Sequence, residues 1–119
     1  MLTPGPDHPI TITTNGKGVR VTLGGQVIAE STKALRLQES DYPVVFYLPS
    51  ADVRTELLIP TPHVTRCPYK GQATHFTVRV DGSENENAVW SYEKPFPAVQ
   101  EIAGLLAFYR SRVDSISEF

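Results

Sequence analysis

The 119 residues carry 11 basic and 13 acidic side chains, a formal net charge of -2, with 40% hydrophobic and 20% charged residues. That is the composition of one globular domain, able to bury roughly two-thirds of its unfolded surface. It excludes a long basic nucleic-acid groove, and no apolar run approaches the roughly 20 residues of a membrane helix. The single cysteine, Cys67, excludes an internal disulfide. Met1 to Pro6 lacks the basic start and apolar run of a signal peptide, so a cytoplasmic domain is expected.

Residues 1–9 are rich in Pro and Gly and read as a loose lead-in to one domain spanning 1–119. Ile10 and Ile12 then alternate with threonines up to the Asn15-Gly16 turn signal. Val19, Val21 and Leu23 alternate with Arg20 and Thr22, Gly24-Gly25 follows, and Val27 to Glu30 returns; together these predict a β-hairpin. Ala34, Leu35 and Leu37 continue the β pattern to Glu39. The dense run Val44 to Leu48 predicts a central strand ended by Pro49. Ser50 can cap a short helix over 51–58, with Asp52 in its first turn and Val53 and Leu57 facing the core. Pro60 and Pro62 stop it.

After Cys67-Pro68-Tyr69-Lys70-Gly71, the run Ala73 to Val80 predicts a strand, Asp81-Gly82 a turn, and Glu86 to Tyr92 the return. The last prediction is a helix from about Pro97 to Ile116. Val99, Ile102, Leu106, Tyr109, Val113 and Ile116 step by three and four along one stripe, while Phe108 falls outside it.

Several blocks carry a resemblance: Glu39; Tyr47-Leu48-Pro49 with Asp52-Val53; Cys67 to Gly71; Ala88-Val89-Trp90-Ser91-Tyr92 with Pro95; and Ala107-Phe108-Tyr109. In order and spacing they resemble a bacterial and fungal family catalogued as domain of unknown function 427. The resemblance implies a β-tent architecture, as in cereblon's ligand-binding domain and the B-type methionine-sulfoxide reductases. Many of those relatives hold zinc on two Cys-x-x-Cys knuckles, from which this chain departs because Cys67 has no partner. The family has also carried a nucleotidyltransferase label, but the Gly-Ser helix start and paired Asp-x-Asp of that chemistry are missing here.

The chemistry-bearing residues each have a bland alternative. Cys67 is a candidate nucleophile, with Lys70 three residues on to favour its thiolate, or an inert core thiol. Cys67, His8, His63 and His75 are the only soft metal ligands, and they lack the close pairs of structural zinc, so no metal or other cofactor is expected. Lys70-Gly71 can meet an anion in a tight loop or simply turn the chain. Glu39, Asp52 and Glu56 are candidate bases or solvated carboxylates. Trp90 and Tyr92 share one side of a strand, as core or as a pocket platform.

The reading is a mainly β domain: a β-tent-like pair of small antiparallel sheets, a short helix near 50–58 and a C-terminal α-helix. The expected function is binding of a small polar or anionic ligand without metal, through Glu39, Tyr47, Asp52, Cys67, Lys70, Trp90 and Tyr92. The alternatives are an enzyme, thiol-dependent through Cys67 or a nucleotidyltransferase, and a protein-interaction module or homodimer built on Phe108 and the C-terminal helix.

Overall fold

A computed structural model describes residues 1–119. Ten strands run in chain order: β1 Ile10–Thr14, β2 Val19–Leu23, β3 Gln26–Ser31, β4 Leu35–Glu39, β5 Val45–Tyr47, β6 Leu58–Cys67, β7 Gly71–Val80, β8 Ser83–Ser91, β9 Ala107–Phe108 and β10 Ser115–Glu118. They form three antiparallel sheets, not the expected two, in the orders β1-β4-β5, β10-β2-β3 and β6-β7-β8-β9. The mainly β class holds.

The hairpin joins β2 to β3 as the alternation predicts, with Gly24 and Gly25 at φ of 60° and 74°, the positive values that a tight two-residue hairpin turn requires. β1 does not pair with β2 but with β4, Ile10 opposite Glu39 and Thr14 opposite Leu35. β5 lies at the edge of that sheet, not its centre. Its exit is held by Leu48, which exchanges two backbone hydrogen bonds of 2.8 Å with Leu106. β6 runs through Pro60 and Pro62, which an edge strand tolerates because one side of its ladder is unpaired. The register shifts between Thr61 and Val64, so Pro62 and His63 stand outside the ladder.

Two expected helices are absent. Residues 51–58 form two 3-10 turns, Ser50–Asp52 and Thr55–Leu57, with Val53 buried between them. The segment from Pro97 to Ile116 is a 3-10 stretch, Pro97–Ile102, interrupted at Val99, followed by β9, a turn at Arg110–Arg112 and β10. Gly104 at φ 72° turns the chain between the first two pieces. The stripe residues are nevertheless core: Val99, Ile102, Leu106 and Val113 are buried, and so is Phe108. Their backbone joins open sheet edges instead of coiling, β9 on β8 and β10 on β2. The dimer surface attributed to a C-terminal helix therefore has no helix to carry it, and Phe108 is not exposed to serve as an interaction handle. No helix is long and apolar enough to cross a membrane.

The core has two parts. One packs Val19, Val21 and Ile28 against Val78, Val89 and Phe108. The other packs Leu37 and Tyr47 against Ala73, Tyr92, Val99 and Ile102. The second part joins the β1-β4-β5 sheet to the β6-β9 sheet, and the candidate site opens beside it.

Candidate functional site

A cavity of about 230 Å³ lies between these two sheets. From the first sheet come Leu37, Glu39, Val45 and Tyr47, with Tyr42 and Pro43 from the β4–β5 connection. From the second come Thr65, Lys70, Trp90, Tyr92 and Tyr109.

Each polar residue is placed by local geometry. Pro68, Tyr69 and Lys70 make the turn that closes β6 on β7, Cys67 opposite Gly71. Gly71 adopts φ 112°, and the Phe96 N–H caps the Lys70 carbonyl at 3.0 Å. Lys70 is thereby held inward, and its side chain is only 10% exposed. Its Nζ donates to Glu39 Oε1, while His8 Nε2 lies 2.8 Å from Glu39 Oε2. Burial opposes ionisation of Glu39, but the hydrogen bonds to Lys70 and His8 outweigh it and hold the carboxyl below its ordinary value. His8 stacks on Tyr69 with ring centroids 4.0 Å apart, and Leu2 N–H donates to the Pro68 carbonyl.

The aromatic wall follows from strand register. His75 on β7 stands opposite Trp90 on β8, and Ala107 on β9 flanks Trp90 from the other side. The Trp90 ring lies 4.3 Å from that of Tyr109, and its indole N–H donates to Tyr47 Oη at 3.4 Å. Burial pushes both Tyr47 and Tyr92 well above the ordinary phenol range, so both hydroxyls stay protonated. Tyr109 Oη meets His75 Nε2 at 3.0 Å. Burial, with His63 alongside, pushes His75 below its ordinary value and favours the neutral ring. His75 Nδ1 is buried without a well-formed hydrogen bond, close to the backbone of His63 and Ala73.

Five of the seven residues named from sequence thus line one cavity: Glu39, Tyr47, Lys70, Trp90 and Tyr92. Two lie elsewhere. Cys67 is a half-buried free thiol packed at the fringe of the second core part. Asp52 accepts a 2.6 Å hydrogen bond from Ser31 Oγ and ties its turn to β3. Glu56 is exposed and pairs with Arg54. Sequence reasoning missed Tyr42, Thr65 and Tyr109 as lining residues, and weighed His8 only as a metal ligand. Tyr42-Pro43 ahead of an apolar strand was the one legible signal, since it marks a loop that can overhang the strand.

The arrangement offers unspent hydrogen bonding beside an apolar platform. Lys70 Nζ has two further N–H donors, and the Tyr92 and Thr65 hydroxyls have no protein partner. A comparison with curated proteins finds no match. Residues 11–118 match the family described as Domain of unknown function (DUF427), labelled NTP_transf_9, which is nearly the whole chain. The sequence blocks that build this cavity fall within that span, and the chain belongs to the DUF427 family.

Proposed function

We propose that the domain binds a small polar ligand in the cavity between Glu39, Lys70, Trp90 and Tyr92, without a metal. The observation that carries this reading is the inward-held Lys70–Glu39 pair at a cavity walled by Trp90. Buried ion pairs are poor stabilisers, whereas a concave site with a few convergent polar groups on aromatic walls is what small-molecule recognition uses. Glu39 neutralises Lys70, so the pair presents a donor and an acceptor side by side rather than a free positive charge. That favours a polar ligand over a simple anion.

The enzyme alternatives have less support. Glu39 is the single carboxylate in the lining and is already ion-paired, whereas two-metal nucleotidyl transfer uses several. Cys67 is outside the lining. Trp90 is the only tryptophan, so its fluorescence reports the cavity directly. Small molecules retained by the purified protein, identified by mass spectrometry, should include a polar compound that quenches or shifts Trp90 emission. Retention should be lost in Lys70→Met. Retained or added polar compounds whose NMR shifts map away from Lys70, Trp90 and Tyr92 would overturn the reading.

A further inference from the structure

Trp90 has a cavity on either side. A second, apolar chamber of about 260 Å³ adjoins the polar one. Tyr42, Pro43, Val45, Trp90 and Tyr109 line both spaces, so the two share a wall and not merely a neighbourhood. Beyond that wall the chamber is floored by Phe46, Leu48 and Phe108 and flanked by Val44 and Ile116. Arg110 stands at its margin, 6.0 Å from the Phe46 ring centroid and with Nη2 3.5 Å from the Val44 carbonyl.

We infer that the ligand is amphipathic: a neutral hydrogen-bonding head at Lys70 and Glu39, and an apolar tail passing Trp90 into the chamber floored by Phe46 and Phe108. This rests on the polar-site reading above and extends it. A purely polar ligand would leave the adjoining apolar chamber unused. A purely apolar one would cover the donors of Lys70 and Tyr92 with hydrocarbon, at a cost in unmade hydrogen bonds. An anionic head would meet a lysine whose charge Glu39 already offsets. The indole suits the junction, since its face is apolar while its N–H is already engaged by Tyr47.

The chemistry can be tested with N-alkylacetamides, from N-methyl to N-hexyl, titrated against Trp90 emission and by NMR. Affinity should rise about fourfold per methylene until the chamber is filled. Val44→Phe or Ile116→Phe, both at half-buried wall positions, should flatten that rise while leaving N-methylacetamide binding intact. Alkanoates of equal length should bind more weakly than the amides.

Equal affinity for short and long probes, both shifting Lys70 and Trp90, would overturn the amphipathic ligand and leave the polar site standing. A chain-length rise that is indifferent to Lys70→Met would mean the chamber binds apolar compounds alone, which overturns both. Tighter binding of alkanoates would overturn the neutral head. Sensitivity of that binding to Arg110→Gln would then place the anion at Arg110, and sensitivity to Lys70→Met would place it in the polar cavity. Absence of binding by every probe would overturn both readings.

Discussion

Glu39→Gln isolates the charge at the centre of the site. In the folded chain the Lys70 and Glu39 side chains are 10% and 13% exposed, so the pair is largely out of water. Removing one partner of a buried pair costs about 3–5 kcal/mol, because the other charge stays desolvated. The cavity lets water reach Lys70, which places the expected loss near the lower end, about 3 kcal/mol. For a domain of this size that lowers the melting midpoint by about 12 °C, at about 4 °C per kcal/mol. The double variant Glu39→Leu with Lys70→Met should recover most of the loss, because no unpaired charge remains. Urea unfolding and thermal melts of the wild type, Glu39→Leu, Lys70→Met and the double variant close the cycle and give the coupling directly. A Glu39→Gln midpoint within about 2 °C of wild type would show that the pair is effectively solvated and refute the argument. A double variant less stable than either single would do the same.

Leu106→Ala should cost about 2–5 kcal/mol, because Leu106 is buried at the bridge to Leu48; an unchanged denaturation midpoint would show that the bridge is peripheral. The carboxyl of Glu39 is held below its ordinary value, so its contribution is complete above about pH 4.5 and is lost as the pH falls through the folded value. Wild type should therefore lose more stability than Glu39→Gln between about pH 5 and pH 3, and parallel urea titrations would contradict this. Tyr109→Phe removes the hydroxyl that meets His75 and should cost about 1 kcal/mol, read by chemical denaturation. Cys67→Ser should leave probe binding to the Trp90 cavity unchanged, since the thiol lies outside the lining; lost binding would restore the thiol to the site.

The local sequence determined those features whose physics is local. Alternation in Val19 to Leu23 and the paired glycines specify the β2–β3 hairpin, because a period of two and a positive-φ turn admit little else. Pro68 and Gly71 bracket a turn at a sheet end, which was enough to place Lys70 near the return strand that carries Trp90. Tertiary structure decided the rest. Nothing near Glu39 in sequence announces His8 or Lys70, each 31 residues away, as its partner; pairing of β1 with β4 brings His8 to it, and the facing of two sheets brings Lys70. The C-terminal segment shows the same limit from the other side. Its spacing of three and four identified the buried residues Val99, Ile102, Leu106 and Val113, but burial does not by itself choose a helix. β2 and β8 each needed a backbone partner along one edge, and satisfying those N–H and C=O groups drew the segment into β10 and β9. The same strand pairing set Tyr109 beside Trp90, in the wall that the two cavities share.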